Sequence, residues 1–381
     1  MISENKIGND FDFSMELLRL ENNGKNKIFS PLSIFYALKM LSEGANGRTK
    51  EQVDSIIENF DVKKYYNIDS ILSLVNAVYI RDTYANCIKD DYKDKMNEKY
   101  DACIFYDPFA NAINVNNWIS NKTFGIIQNM ISDNMVQNKT VKMLLINALA
   151  IDMKWNCFFD AINTSGRDFY LEDGSSMDAT TMLTKDIPYY MDEKITAVAL
   201  DLEKYDDVQL EFIAIMPKEN LTDYIKTFSK TDFDNIIYNL TYSNSFSPVH
   251  LFIPRFSFDY QLKLKDDLVH LGITDAFDYH SADLSNMYDA DRADDRLFFN
   301  EALHKSKIDF TEKGIKAASV TVLSVKETAS FRKQEQPIEI YINKPFLYFI
   351  QDKVTNQILF AGTVYKPNSW TDDKKSYQFT F

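Results

Sequence analysis

The sequence predicts an α+β protein with largely antiparallel sheets. Segments with helical periodicity gather in the first part of the 381-residue chain, and strand-like apolar runs dominate the second half. The two kinds of segment do not alternate as they would in a βαβ protein. No repeat, Pro/Gly-rich linker or low-complexity tract divides the chain, and 45% of its residues are hydrophobic. We therefore expect a single domain with a large core.

Three helices are predicted in the first part of the chain. Ser30 and Pro31 are a favoured capping residue and a favoured first residue, and Gly44 ends the helix that they begin. A second helix is predicted to start at Thr49, where Thr-x-x-Gln resembles a capping box. Apolar residues at spacings of three and four predict an amphipathic helix over 115–131.

The strand-like runs that follow are rich in aliphatic and aromatic residues, which favour strands. They are 141–153, 208–216, 249–258, 338–342, 346–350 and 357–365.

A further run, "EKGIKAASVTVLSV" at 312–325, has the pattern of a half-buried strand. Every second residue from Ile315 to Val325 is uncharged, whereas Lys316 lies on the other parity. Small residues dominate its start, and such residues pack weakly and leave the backbone mobile. The pattern indicates a strand, but a charged, Gln-rich stretch follows it without a tight turn.

The charge and cysteine content limit the partners and the compartment. A net charge of −14 and a pI near 4.8 argue against nucleic acid or heparin as a partner, since binding phosphate or sulfate needs clustered Lys and Arg. Cys87, Cys103 and Cys157 are too scattered for a disulfide framework and fit a reducing compartment. With no signal peptide or membrane-spanning run visible, we expect a cytoplasmic or nucleocytoplasmic protein, or one secreted by an unconventional route.

No pattern in the sequence predicts an enzyme. The motifs HExxH, GxSxG, GxGxxG and the P-loop are absent. The acidic run 289–295 lacks the spacing of a calcium-binding EF-hand, so we expect neither metal nor cofactor. His304 lies on an alternating strand, where a hydrogen-bonded structural histidine is favoured over a catalytic base.

Six motifs follow one another along the chain between about residue 11 and Pro367. They are "NKIFSPLSIFYALKMLSEGANGRTKEQV", "VNNWISNKTFG", "INALAIDMKWNCFFDAINTSGRDF", "IPRFSF", "HKSKIDFTEKGIKAA" and "NKPFLYFI…LFAGTVYKP". In this order they resemble the serpin family. The resemblance implies a serpin fold: three mainly antiparallel β-sheets, about eight or nine helices and an exposed reactive-centre loop at about 313–336. It also implies one serpin domain over 1–367, followed by an atypical tail at 368–381.

The function that the resemblance implies is suicide-substrate inhibition of a serine, or alternatively a cysteine, endopeptidase. The protease cleaves the loop and is trapped as an acyl-enzyme in a covalent complex while residues 313–326 insert as a new strand of the central sheet. The alternative is a non-inhibitory member acting as a carrier, storage or chaperone-like protein. In either case we expect a monomer.

The resemblance also implies three groups of site residues. The hinge residues, where the loop begins to insert, are Glu312, Gly314, Ile315, Ala317, Ala318 and Ser319. The breach residues, at the point of entry, are Trp155, Arg255 and Glu312. The shutter residues, a polar cluster under the sheet, are Ser30, Ser33, Asn147 and His304.

The bond that a protease would cut follows from the usual family spacing of about seventeen residues after the hinge acid. Counting from Glu312 gives Thr328–Ala329, which suits proteases with small specificity pockets. The loop is longer than in typical members, so other positions stay open as alternatives. These are Lys326, Phe331, Arg332 and Lys333.

Overall fold

The structure, a computed structural model, describes residues 7–58, 60, 65, 67–157, 159–242, 248–292, 296–315 and 336–371. Within these ranges the α-helices are α1 (Asp10–Leu20), α2 (Pro31–Gly44), α3 (Gly47–Ile57), α4 (Asp90–Tyr100), α5 (Ile113–Lys122), α6 (Asp133–Gln137), α7 (Leu221–Thr227), α8 (Lys230–Tyr242) and α9 (Leu264–His270). None of the helices in the described ranges is long and apolar enough to cross a bilayer.

The start of helix α2 is confirmed. Ser30 is its capping residue, and its side-chain oxygen accepts a hydrogen bond from the backbone N–H of Ser33 at 3.1 Å. The predicted start of the second helix at Thr49 is wrong, because α3 begins at Gly47. The Thr49 hydroxyl instead accepts a hydrogen bond from the backbone N–H of Asp283, a partner 234 residues away.

The predicted helix over 115–131 is also too long. Helix α5 ends at Lys122, because Phe124 and Gly125 both adopt positive φ, at 54° and 73°. Ile126 and Ile127 beyond this turn are nevertheless buried in the same apolar cluster as the inward face of α5. The apolar pattern therefore predicted burial but not the end of the helix.

The strands form three sheets, and the strand-like runs of the sequence all lie in them. A six-stranded sheet has the order β1 (Lys27–Phe29), β17 (Ile358–Val364), β16 (Phe346–Asp352), β10 (Leu210–Pro217), β9 (Ile195–Asp201) and β8 (Tyr189–Met191). A four-stranded sheet has the order β15 (Ile338–Tyr341), β11 (Val249–Pro254), β7 (Ser176–Lys185) and β6 (Ser165–Tyr170).

The third sheet is called the central sheet below. It contains β3 (Cys103–Asp107), β2 (Leu72–Arg81), β4 (Met143–Ile151), β13 (Glu301–Thr311), β14 (Gly314–Ile315) and β5 (Met153–Lys154), with β12 (Phe256–Lys263) paired to β13. Among the strand pairs of the described residues three are parallel, namely β2 with β3, β4 with β13 and β11 with β15, and the others are antiparallel.

Aromatic side chains join the six-stranded sheet to the central sheet. Phe256 and Phe310 of the central sheet stack with ring centroids 4.6 Å apart. Phe310 meets Phe212 of the six-stranded sheet at 4.7 Å, and Phe212 stacks on Tyr348 at 5.4 Å. All four side chains are fully buried, so this cluster supplies much of the apolar burial beneath the upper part of the central sheet.

The central sheet is open between β4 and β13. These two strands pair at the lower end only, where Glu301–His304 lies beside Leu144–Asn147. Above this point, residues 305–309 and 148–152, all of them described, have no backbone pairing with one another. At the upper end β14 lies between β13 and β5. We call the gap between the two ends the slot.

Candidate functional site: the slot of the central sheet and its two ends

Two residues near the start of the predicted loop, Gly314 and Ile315, lie in the upper end of the slot. Ile315 pairs with Phe310 on one side and Met153 on the other, and Gly314 pairs with Thr311 and Lys154. Both pairings are antiparallel, so β14 is a short strand added between two existing strands. Ile315 is buried in the main core.

Gly314 is required by the close approach of β5. Its φ is +147°, and a Cβ atom there would lie 2.1 Å from the carbonyl oxygen of Met153. A side chain at this position would therefore collide with backbone, which has no freedom to move aside within a sheet.

Trp155 of the breach closes the slot from the β5 side. Its indole N–H donates a hydrogen bond to the carbonyl oxygen of Thr311 at 2.7 Å. Its ring meets Phe310 edge-on, with centroids 5.1 Å apart, and is itself buried. Trp155 thus joins the end of β13 to the chain that follows β5.

Glu312 is held from both sides of the slot. The Arg255 guanidinium donates from Nη2 to Oε1 of Glu312 at 2.6 Å and also contacts Oε2. The Thr164 hydroxyl donates to the same Oε1 at 2.6 Å. The Arg255 and Glu312 side chains are 14% and 8% exposed, so removing either partner would leave a largely buried charge without compensation.

Arg255 itself lies where one predicted strand proves to be two. The run 249–258 divides into β11 of the four-stranded sheet and β12 of the central sheet, and Arg255 is the residue between them. This position lets a residue of one continuous apolar run hold Glu312, which is 57 residues further along the chain.

His304 of the shutter is a hydrogen-bond acceptor beneath the lower end of the slot. Its Nε2 accepts from the backbone N–H of Ser30 at 2.9 Å and from the hydroxyl of Ser306 at 2.8 Å. Complete burial lowers the pKa of His304 to about 3, because the charged ring would lose its hydration. The ring is therefore neutral near pH 7 and fixes the start of α2 to the central sheet.

The side chains of the other two predicted shutter residues, Ser33 and Asn147, do not join this hydrogen-bonded group. Asn147 is opposite His304 in the strand register, yet its side-chain amide donates to Asn76 Oδ1. Asn76 in turn donates to the carbonyl oxygen of Tyr100 at 2.9 Å. Within the described residues, Ser33 Oγ and Asn147 Oδ1 are buried without a hydrogen-bond partner. Buried polar groups without a hydrogen bond reduce the stability of the arrangement in which β4 pairs with β13.

Asn76, Ser306 and Thr164 were not identified as site residues from the sequence. Each is a small polar residue in a strand or turn, and no local pattern links it to a partner far along the chain. Thr164 stands within a motif that carries the family resemblance, which is the one signal in the sequence that pointed towards it.

The remaining site predictions lie outside the described residues. These are the hinge residues Ala317, Ala318 and Ser319 and the reactive-bond candidates Lys326, Thr328, Ala329, Phe331, Arg332 and Lys333. The described chain stops at Ile315 in the slot and resumes at Gln336, just before β15.

Neither cysteine pairs nor metal clusters occur in the part of the chain that the structure describes. Cys87, Cys103 and Cys157 are free thiols, and burial raises the pKa of Cys157 to about 11. No group of three or more His, Cys, Asp or Glu side chains in the described ranges is arranged to hold a metal ion.

Comparison with known proteins identifies the class of this fold. A family model described as "Serpin (serine protease inhibitor)" matches residues 9–367. A serpin-like protein of Methanosarcina acetivorans is 26% identical, over 94% of this chain and 86% of its own. The leukocyte elastase inhibitor of Xenopus tropicalis is 27% identical, over 93% of this chain and 97% of its own.

A solved structure agrees with the sequence comparison. The thermophilic serpin tengpin in its native state has a TM-score of 0.79 and 27% sequence identity, covering 96% of this chain and 95% of tengpin. The chain therefore belongs to the serpin family and has the serpin fold, as the sequence predicted.

Proposed function

We propose that this serpin is a suicide-substrate inhibitor of a serine endopeptidase, with cysteine endopeptidases as a second target class. The protease attacks the loop at 313–336 and remains attached as an acyl-enzyme while the loop enters the central sheet. The observation that carries the proposal is the pairing of Gly314 and Ile315 on both sides of the slot. It supports insertion because the strand that would grow has already begun.

The register of β14 specifies where each following residue would lie. In an antiparallel ladder, residues directly opposite each other share a face of the sheet. Continued without a bulge, the strand would set Ala317 opposite Ile308, Ser319 opposite Ser306 and Thr321 opposite His304. These three partners on β13 are buried. Apolar residues would thus meet apolar ones, hydroxyl groups would meet polar ones, and the uncharged parity of the sequence would coincide with the buried face.

The same register places the charged parity on the outer face. Lys316 would stand between Asp309 of β13 and Asp152 beside β5, both of which are partly exposed. Ala318 would stand opposite Lys307 of β13, which is partly exposed, and opposite Ala150 of β4, which is buried, so this face is open on the β13 side. A lysine between two carboxylates favours the inserted arrangement rather than opposing it.

An apolar cavity beneath the lower end of the slot also matches the loop. Leu323 would lie between Ala302 and Leu145, and both of these residues line the cavity together with Leu38 and Phe299. Filling this space would add apolar burial to the hydrogen bonds of the new strand.

The driving force is adequate for trapping a protease. About a dozen inserted residues at roughly 1 kcal/mol per backbone hydrogen bond, with apolar burial added, give about 10–20 kcal/mol. A strand of about sixteen residues at ~3.3 Å each spans about 50 Å, which is enough to carry a tethered protease across the molecule. A displacement of ~1 Å in the protease active site can slow deacylation about 100-fold.

The proposed reactive bond is Thr328–Ala329, cleaved by a protease with a small specificity pocket. Lys326, Phe331, Arg332 and Lys333 are the alternatives, and they would suit trypsin-like or chymotrypsin-like enzymes. Sequencing the C-terminal peptide released by the inhibited protease distinguishes these bonds directly.

The test is a matched pair of loop variants incubated with a panel of proteases. Ala317→Glu puts a charge on the face that insertion would bury, so we expect cleavage without an SDS-resistant complex. Ala318→Glu puts the same charge one residue away on the outer face, opposite Lys307, so we expect complex formation as in the parent chain. The ratio of complex to cleaved product is the measurement.

The inhibitor proposal fails if every protease only cleaves the parent loop, with no complex and no rise in thermal stability. That result would favour the alternative, a non-inhibitory serpin acting as a carrier, storage or chaperone-like protein. Equal behaviour of the two glutamate variants would contradict the register assigned to the inserted strand.

We also propose that the protein acts as a monomer in a reducing compartment, cytoplasmic or nucleocytoplasmic, without heparin. The free cysteines support the compartment. The absence of a polyanion partner is supported by α4, because three of its lysines form ion pairs with neighbouring carboxylates, which reduce the positive charge available to a polyanion. The pairs are Lys93 with Asp90, Lys95 with Asp91 and with Glu43, and Lys99 with Glu43.

A further inference from the structure

The first residues of the C-terminal tail lie against the breach. The backbone N–H of Asn368 donates to the carbonyl oxygen of Arg255 at 3.0 Å, and its own carbonyl oxygen accepts from the N–H of Thr180 at 3.0 Å. Its side-chain Oδ1 accepts from the N–H of Ser257, also at 3.0 Å. One tail residue thus bonds to β7, to Arg255 at the joint between β11 and β12, and to Ser257 of β12.

The next two residues extend this contact along the four-stranded sheet. Ser369 forms an antiparallel bridge with Ala179 of β7. The Trp370 ring covers Gly166 of β6 so closely that a Cβ atom at position 166 would lie 2.6 Å from Trp370 Cδ1. The contact therefore depends on a glycine in β6 as well as on the tail.

The residue that the tail holds most directly is Arg255, whose guanidinium holds Glu312. The Arg255 N–H also donates to the Thr180 carbonyl oxygen at 2.7 Å, so both its backbone polar groups are bonded, one to β7 and one to the tail. Strand β12 begins at the next residue and pairs with β13 over its full length. The tail thereby links the four-stranded sheet to the strand pair that forms one wall of the slot.

We propose that residues 368–371 form a breach clamp in which Asn368 is a positioning residue for Arg255, and that this clamp slows the widening of the slot. The consequence for insertion rests on the proposed inhibitory function, whereas the clamp itself does not. The slot can widen in two ways before a strand enters. Either the wall formed by β12 and β13 moves relative to the four-stranded sheet, or the opposite wall, formed by β4, moves. The bonds of Asn368 resist the first of these motions. Thr180 is fully buried in the intact chain, and removal of Asn368 would take away the acceptor of its N–H.

Two truncations test the clamp. A chain that stops at Pro367 lacks it, and a chain that stops at Thr371 keeps it while losing the rest of the tail. We expect the amides of Thr180 and Ser257 to exchange hydrogen at least about 10-fold faster in the first chain, and at the parental rate in the second. This measurement uses no protease.

The same chains test the effect on insertion. On warming, the uncleaved chain that stops at Pro367 should convert to an inactive, more heat-stable form at least about 5-fold faster than the chain that stops at Thr371. Asn368→Ala, which loses the acceptor for Ser257, should lie between them, and Asn368→Asp, which keeps an acceptor, should restore the slower rate. A tail that merely stabilised the fold would lower the unfolding temperature without changing the conversion rate.

The clamp is refuted if the chain that stops at Pro367 matches the chain that stops at Thr371 in both amide exchange and conversion. If that shorter chain does not fold, Asn368→Ala and Trp370→Ala provide the same comparison against the parent. If the inhibitor proposal is wrong and the clamp proposal is right, no protease complex forms, but amide exchange still rises on truncation at Pro367. If the chain that stops at Pro367 forms the protease complex normally and its amide exchange is unchanged, the clamp proposal is refuted and the inhibitor proposal stands.

Discussion

At position 304 a histidine ring is buried completely and accepts two hydrogen bonds at one nitrogen. Because its pKa in the folded chain is about 3, against about 6.5 when unfolded, the unfolded state binds more protons between these pH values. The free energy of unfolding therefore has the full contribution of His304 above pH 6.5 and loses it as the pH falls.

We expect this residue to reduce the free energy of unfolding by about 1.4 kcal/mol between pH 7.5 and pH 5.5. His304→Gln keeps an acceptor for Ser30 but does not titrate, so that part of the pH dependence should disappear. Burial raises the pKa of Asp267 to about 6, which acts in the opposite direction, but it does so equally in both chains. Urea unfolding at the two pH values measures the difference.

Asn117→Gln, at an exposed position of α5, adds and removes no titratable group and is the control for this experiment. It should leave the pH dependence of unfolding as in the parent chain. If His304→Gln also leaves it unchanged, His304 is not neutral in the folded protein and the lowered pKa is contradicted.

Among the elements, β14 has only two residues, as β5 does, and its place in the slot depends on Gly314. Gly314→Ala would place a Cβ atom 2.1 Å from the Met153 carbonyl oxygen at a φ of +147°. We expect the two residues of β14 to leave the slot and the free energy of unfolding to fall by about 2–4 kcal/mol, from backbone strain and lost ladder bonds. Chemical denaturation measures the change.

Gly24→Ala is the matched comparison, because Gly24 also has positive φ, at +69°, but has nothing within 4 Å of a built Cβ. It should cost only the backbone term, about 1 kcal/mol. Equal losses for the two variants would mean that the close approach of β5 does not matter.

The elements also show how far local sequence reasoning extends. Capping residues located α2 and apolar runs located the strands, because both signals depend on near neighbours. The end of α5 was missed because the apolar spacing continues beyond it, although Gly125, which follows Phe124 and also adopts positive φ, is a local helix-stop signal. The division of 249–258 between two sheets was missed because sheet membership depends on partners far along the chain, and the Thr164–Glu312 contact was missed for the same reason.

At the scale of the whole molecule, insertion of the loop should raise the thermal stability after cleavage. An unfolding entropy of roughly 2.1 cal/mol/K per residue gives about 0.8 kcal/mol/K for this chain. A gain of about 10–20 kcal/mol then raises the unfolding temperature by about 12–25 °C. Calorimetry before and after limited proteolysis of the loop measures the shift.

The variants Ala317→Glu and Ala318→Glu also test this rise in the unfolding temperature. The cleaved Ala317→Glu chain should show little of this rise, whereas the cleaved Ala318→Glu chain should show nearly all of it. A cleaved parent chain that unfolds at the temperature of the intact one would mean that the slot does not accept the loop.

The unequal pairing along the slot divides strand entry into two stages. Residues 316–320 would lie opposite 305–309 and 148–152, which have no pairing across the slot, so each step adds ladder bonds and breaks none. From Thr321 onward each step must displace one of the four existing pairs between β4 and β13. The boundary between the two stages lies at His304 and Asn147. Before this point insertion only adds hydrogen bonds, and beyond it each new pair replaces an existing pair of β4 with β13. A loop that halted there would be half committed, and its acylated protease would still have time to escape.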